Sequence, residues 1–286
     1  EGTLGVITQA VMKLLSRPAM RKTFLCAFKN NAAALKAVGP LRESGADFSI
    51  LEYIDELSVK CAADFMGRPA FQKYPRSALL LVEVDGSPAQ VAAAAKRVQA
   101  WANTHARAFA TSKSETQAEA LWQVRRQCSP AMFYLGDSKL SEDVVLPMAA
   151  YEKFVKLIGE LEKTTRLPVP VFGHAGDGNF HVHFMYNRAS KDERARAEKG
   201  VKKLLRGVID LGGAISGEHG IGVSKSPYFA WQHSPAQVRA QHAVKRALDP
   251  QNILNPGKIF EATNVADFEP VRVKMPWDHK PPVPPR

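Results

Sequence analysis

The segment Phe172-Gly173-His174-Ala175-Gly176-Asp177-Gly178-Asn179-Phe180-His181-Val182-His183-Phe184 carries the densest chemistry in the chain. Three glycines in the six residues from Gly173 to Gly178 predict a tight, irregular loop. Beyond the loop, alternation predicts a strand. His181, His183 and Met185 share one face of it, and Phe180, Val182, Phe184 and Tyr186 the other. The apolar face has a core to pack on, so the histidine face needs polar surroundings. His174, at the loop entrance, can fold back toward His181. Neutral imidazoles that converge in this way are common metal ligands. One histidine alone is more often a hydrogen-bonded structural residue. Three within ten positions, beside Asp177, Asn179 and a glycine loop, favour a metal or active site.

A second segment, Gly212-Gly213-Ala214-Ile215-Ser216-Gly217-Glu218-His219-Gly220-Ile221-Gly222, again sets glycines around an acid and a base. Glycine lets backbone approach a ligand closely. A Glu-His pair alone is a weak signal, because such pairs also occur in surface turns. Together with the first segment it completes a two-histidine, one-carboxylate set. The same set on a jelly-roll barrel would suggest a non-haem Fe(II) oxygenase. The helix content here argues against that.

These segments need a scaffold. Residues 3–15 read as a strand and a short exit, punctuated by Arg17-Pro18, and Thr23 to Phe28 as a second strand. Asn30-Asn31 starts a helix that runs to Val38, where Gly39-Pro40 ends it. A helical pattern covers roughly 52–66, with Tyr53, Leu57, Cys61 and Phe65 four residues apart. Ala78 to Val84 is a near-continuous apolar strand, followed by a helix from Pro88 to about Thr104. A strand at 106–111, a helix at 115–133, a strand from Ser141 to Leu146 and a helix at 149–163 come next. A charged helix at about 190–209 separates the two glycine-rich segments. This order predicts an α+β fold: helices flanking one face of a mostly antiparallel sheet, plus a helical C-terminal segment.

Composition sets outer limits. No apolar run approaches the roughly 18 residues needed to span a bilayer. The net charge of +11 comes from basic residues spread along the chain, none in a run interleaved with aromatics. Nucleic acid is therefore not an expected partner; such a field would favour an anionic substrate, an acidic partner domain or a membrane surface. Cys26, Cys61 and Cys128 lack zinc-knuckle or redox spacing and read as reduced, buried thiols of a cytosolic protein.

GHAGDGNFH together with GEHGIG resembles the signature of the FAD-linked oxidase C-terminal family. That family includes D-lactate dehydrogenases, the glycolate oxidase flavoprotein subunit and D-2-hydroxyglutarate dehydrogenases. The opening EGTLGVIT is similar to the family's last flavin-domain motif, usually GSEGTLG. ALDPQNILNPGKIF, residues 247–260, resembles its C-terminal flavin-side motif, and LWQVR, residues 121–125, its substrate-arginine helix.

The resemblance implies roles. His174, His181 and Glu218 match the metal ligands. Zn²⁺ suits that set, with Mn²⁺ or Fe²⁺ as alternatives. His219 matches the general base, and Arg125 the residue that pairs with the substrate carboxylate. His183 falls where relatives place a polar residue, often Asn, near metal or substrate. Asn255 and Lys258, with Glu1 and Gly2, match flavin-side positions. Ser141 stands where some relatives carry a substrate-binding lysine, and Lys139 is displaced from it.

The implied organisation is a remnant of the FAD-binding domain at 1–20, a substrate- and metal-binding domain at 21–262, and an extended Pro-rich tail at 263–286. An N-terminal FAD-binding domain would then be absent from this chain. The implied activity is oxidation of a D-2-hydroxy acid, such as D-lactate, glycolate or D-2-hydroxyglutarate, to the 2-oxo acid, with hydride passing to FAD. The implied partners are the small anionic hydroxy acid, an FAD domain and a downstream iron–sulfur domain. The implied location is cytoplasmic, or peripheral to the inner membrane. The alternative is a non-catalytic, metal-stabilised module that docks a separate flavoprotein.

Overall fold

The apolar runs at 20–28 and 78–86 pair with each other along their full length, and the rest of the sheet grows outward from them. The computed structural model describes residues 1–67 and 77–260; the tail expected at 263–286 lies outside these. Seven strands form one sheet: β1 (Met20–Phe28), β2 (Ile50–Ile54), β3 (Ala78–Gly86), β4 (Ala108–Thr111), β5 (Ser138–Val145), β6 (Val171–His174) and β7 (Asn179–Tyr186). Their order is β4-β1-β3-β2-β6-β7-β5, and every neighbouring pair is antiparallel. The described helices are α1 (Asn31–Lys36), α2 (Val38–Glu43), α3 (Glu56–Met66), α4 (Pro88–His105), α5 (Glu115–Ala131), α6 (Tyr151–Thr165), α7 (Lys191–Asp210), α8 (Phe229–Gln232) and α9 (Pro235–Leu248).

Helices cover both faces of the sheet, not one as the sequence suggests. On the first face Leu25, Leu79, Leu81, Ile54, Phe172 and Met185 pack against α3 and α5 through Val59, Cys61, Val124 and Cys128. On the second face Phe28 meets Trp101 of α4 at 6.0 Å, and Phe180 meets Tyr151 and Phe154 of α6 at 5.2 and 5.0 Å. Double cover explains why β1, β3 and β7 are buried at most positions instead of alternating between buried and exposed. No described helix is long and apolar enough to cross a membrane.

Three local expectations change. The helix expected from 52 is a strand followed by a helix. Asp55 caps α3, accepting from the Ser58 N–H at 2.7 Å, so Tyr53 belongs to β2 and its four-residue spacing to Leu57 is coincidental. Gly39-Pro40 does not end helical structure: Pro40 sits in the first turn of α2, where a missing N–H costs nothing. Residues 3–15 form no strand.

The chain divides into two compact units. Ser16–Gly217 holds the whole sheet; Glu1–Leu15 and the described residues from Glu218 to Phe260 form the other. The smaller unit is organised by the buried ammonium of Lys245. It donates to the Thr3 and Leu254 carbonyls at 2.8 Å each and pairs with the Asp249 carboxylate. Helix α9 begins with a Ser234–Gln237 capping box and Pro235 in the first turn.

Asp55 also accepts from the Val171 N–H at 2.9 Å, which ties β6 to the start of α3. Burial lifts this carboxyl to about 7, against the pull of its hydrogen bonds from Ser58 and Val171. The folded value lies above the unfolded value of about 3.9, so the protonated form favours the fold. Its contribution is complete below about pH 4 and is lost as pH rises through about 7. Relative to Asp55→Asn, the parent should therefore lose stability across that window and level off above it. Urea midpoints of the two proteins measured against pH test this, and a pH-independent difference would contradict it.

Candidate metal and substrate site

The first face of the sheet is apolar under α3 and α5 and polar beyond them. Register explains the boundary. Glu52 pairs with His174, and His174 with Asn179; one row along, Phe172 pairs with His181, and His181 with Asp143. The next pair is His183 with Ser141. A patch of one face thus gathers a carboxylate from β2, an imidazole from β6, two more from β7 and Asp143 from β5.

The first glycine-rich segment is the hairpin loop between β6 and β7. Gly178 has φ +77°, and a Cβ there would lie 2.2 Å from the Leu146 carbonyl oxygen, so glycine is required. The second segment lies beside β5, where Ala214 and Val145 exchange two backbone hydrogen bonds of 2.8 and 3.0 Å. Asp143, fully buried, joins the two segments. Its Oδ1 accepts from Asn179 Nδ2 at 2.6 Å. Its Oδ2 accepts from Ser216 Oγ at 3.0 Å and from the Gly217 N–H at 2.9 Å. A Cβ on Gly217 would meet Asn179 Nδ2 at 2.2 Å.

His174 and His181 come together as the sequence suggests. Their rings stand edge to face, 5.5 Å apart, with ring nitrogens within 4.8 Å of each other. His181 is buried and His174 half-buried. A ring nitrogen of His181 also lies within 4.8 Å of an Asp143 carboxylate oxygen. Two imidazoles at this separation fit a divalent metal of the zinc type. His183 sits elsewhere on the face: its Nδ1 is 2.8 Å from Ser141 Oγ, and its ring lies 4.9 Å from that of Phe172.

Arg125 reaches this patch from α5. Its guanidinium lies 4.6 Å over the Phe172 ring, and its Nε donates to Glu52 Oε2 at 2.5 Å. The other Glu52 oxygen contacts His174 Nδ1. Burial works to raise the Glu52 carboxyl, but His174 and Arg125 outweigh it and hold it below the usual carboxylate range. Glu52, Arg125 and His174 line a cleft of about 860 Å³ that Arg21, Arg42, Glu83, Trp122, Arg126 and Asp177 also border. Glu83 is tied to Thr23 Oγ1 and Trp122 Nε1 at 2.7 and 2.8 Å. Sequence reasoning missed Glu52, because the helical reading of 52–66 hid it. The available signal was a carboxylate set inside the apolar run Ile50-Leu51-Glu52-Tyr53-Ile54.

Glu218 and His219 belong to the smaller unit, joined directly to Gly217. His219 Nε2 is 3.7 Å from Glu218 Oε1, and both side chains are more than half exposed. In the same unit Glu1 accepts from the Ile221 and Gly222 N–H groups at 2.7 and 2.8 Å, and Asn255 Nδ2 donates to the Glu1 carbonyl at 2.6 Å. Gly2 has φ +70°. Lys258 Nζ reaches the Pro256 carbonyl at 3.4 Å.

Residues 17–259 match the family model for FAD linked oxidases, C-terminal domain. The chain belongs to that family. The glycolate oxidase subunit GlcD of Bacillus subtilis (strain 168) is 34% identical over 263 residues, covering 91% of this chain and 55% of that protein. The mitochondrial D-lactate dehydrogenase (cytochrome) 1 of Saccharomyces cerevisiae is 27% identical over 271 residues, covering 91% and 45%. The chain therefore spans about half the length of the curated relatives it matches. A crystal structure of p-cresol methylhydroxylase with substrate bound superimposes with a TM-score of 0.68 at 18% identity, over 87% of this chain and 54% of that one. An alkyldihydroxyacetonephosphate synthase structure gives 0.60 at 15% identity, over 89% and 47%. At these identities the structures bear on the fold of this family member, not on its chemistry.

Removing the Asp143 carboxylate leaves buried donors from both glycine-rich segments without their acceptor. Asp143→Ala should cost roughly 2–4 kcal/mol in urea unfolding, the scale of unsatisfied buried groups facing a lost charge. A loss under roughly 1 kcal/mol would show that the segments are held together by something else.

Proposed function

We propose that this chain is the substrate- and metal-binding part of a flavin-dependent dehydrogenase that oxidises a D-2-hydroxy acid. The observation that carries the reading is the convergence of His174 and His181 on the sheet face that Arg125 overhangs. Membership of the FAD-linked oxidase family supports it.

His174 and His181 would supply two imidazole ligands. Glu218, the residue after Gly217, would supply the carboxylate, as the family signature implies. A divalent metal held there would supply Lewis acidity toward the substrate hydroxyl; two imidazoles and a carboxylate suit Zn²⁺, with Mn²⁺ or Fe²⁺ as alternatives. Arg125 would hold the substrate carboxylate through its Nη groups, in the bidentate manner that guanidinium favours. His219 would accept the hydroxyl proton. His183, buried against Phe172 and paired with Ser141, would shape the wall of the site through packing.

FAD is the acceptor that the family implies. The four flavin-side positions fit it only in part. Glu1 and Asn255 direct polar groups to each other and to Ile221 and Gly222, and the half-buried Lys258 reaches the Pro256 carbonyl. No step is assigned to them. The 286-residue chain is expected to purify without stoichiometric flavin; a yellow protein with one FAD per chain would contradict this.

Elemental analysis of the purified chain should find about one divalent metal per molecule, since one ligand set forms one site. His181→Ala should lose that metal while keeping its circular dichroism. Full retention of the metal would remove His181 from the ligand set. In the whole enzyme, His219→Asn should keep the metal and slow flavin reduction by roughly 10²–10⁴-fold, the usual worth of a positioned base. Unchanged reduction would leave His219 without that role.

A further inference from the structure

Glu52 is an unusual group for its place. It sits mid-strand in β2, 4% exposed, on the same face as an apolar cluster. A buried carboxylate needs partners, because an uncompensated charge is costly there. Its two oxygens serve two different groups: Oε2 accepts from Arg125 Nε, and Oε1 contacts His174 Nδ1. These contacts bridge 73 and 122 positions of sequence. The His174 contact follows from strand register, since Glu52 and His174 are paired across β2 and β6.

The chemistry of each contact has a direction. An ionised carboxylate can only accept, so the His174 nitrogen facing it must carry the proton. That places the His174 lone pair on Nε2. On Arg125, Nε is committed to Glu52. Among the described residues no carboxylate is hydrogen-bonded to its Nη1 or Nη2. The flat guanidinium is further held by the Phe172 ring at 4.6 Å.

We propose that Glu52 is a positioning residue that locks two binding groups at once: His174 with Nε2 presented to the metal, and Arg125 with both Nη groups presented to the substrate carboxylate. The proposal rests on the reading that His174 and His181 hold a metal. Glu52 touches neither metal nor substrate; it acts by orientation and by raising the donor strength of His174, as carboxylates behind metal-binding imidazoles do. Because one carboxylate serves both groups, metal affinity and the state of Arg125 become coupled.

The test uses the full chain, zinc, and competition with a chromophoric chelator. Glu52→Gln keeps the volume of the side chain and removes its charge. It should weaken zinc binding by roughly 10–100-fold, the scale seen when such partners are removed. Arg125→Ala should shift zinc affinity in the parent and have no effect in the Glu52→Gln background. Strictly additive effects, or unchanged zinc affinity in Glu52→Gln, would overturn the shared role. Should Glu52→Gln fail to fold, ¹⁵N NMR of the zinc-loaded parent decides alone. A His174 with protonated Nδ1 and zinc-bound Nε2 supports the proposal; zinc on Nδ1 overturns it. If the parent binds no zinc, or His181→Ala binds it equally well, the underlying metal reading has failed and the proposal falls with it.

Discussion

The larger unit depends on one buried carboxylate. Asp143 gathers donors from Asn179, Ser216 and Gly217, and so fastens the end of the first glycine-rich segment to the end of the second. The first segment is also held by the pairing of β6 with β7, and the second by the Ala214–Val145 backbone bridge. Charge-assisted hydrogen bonds are stronger than neutral ones, and inside a protein there is little water to compete. The arrangement also sets the glycine at 217: the approach of Asn179 and Asp143 leaves no room for a side chain. Glycine is usually discussed as conformational freedom, but here it is a matter of space.

The sheet face that carries this carboxylate does two jobs. Under α3 and α5 it is a hydrocarbon core with Leu25, Leu79, Leu81 and Ile54 at its centre. Past the edge of those helices the same rows continue into Glu52, His174, His181 and Asp143. Phe172 stands at the border. One side of its environment is core, and it also stacks with His183 and carries the Arg125 guanidinium. The strands are rigid because the opposite face is packed by α4 and α6. Polar groups placed on such strands hold position better than groups placed on loops, which is what a metal or substrate site requires.

Much of this was legible in the sequence, for identifiable reasons. The strand at 78–86 and the helix at 88–105 carry strong local signals: a continuous apolar run, then Ser87-Pro88 and a capping Gln90. The glycine-flanked histidines of β6 and β7 also declare themselves, because composition and spacing agree. The segment 52–66 misled because apolar residues on a short strand happened to fall in step with those of the following helix. Register then decided what periodicity could not. Glu52 was hidden for a deeper reason. Its meaning lies in Arg125 and His174, which reach it only through the closed sheet, and no local pattern encodes a contact across 122 residues. The same holds for Asp143, whose neighbours in sequence say nothing of Ser216 or Gly217.

The central claim is that His174 and His181 bind a divalent metal through their imidazoles. X-ray absorption at the zinc edge, on the chain loaded with one equivalent of zinc, addresses it most directly. The account predicts a shell of nitrogen and oxygen at about 2.0–2.1 Å with the multiple-scattering pattern of two imidazoles. A sulfur shell at about 2.3 Å, drawn from a cysteine, or a shell without imidazole scattering, would contradict it.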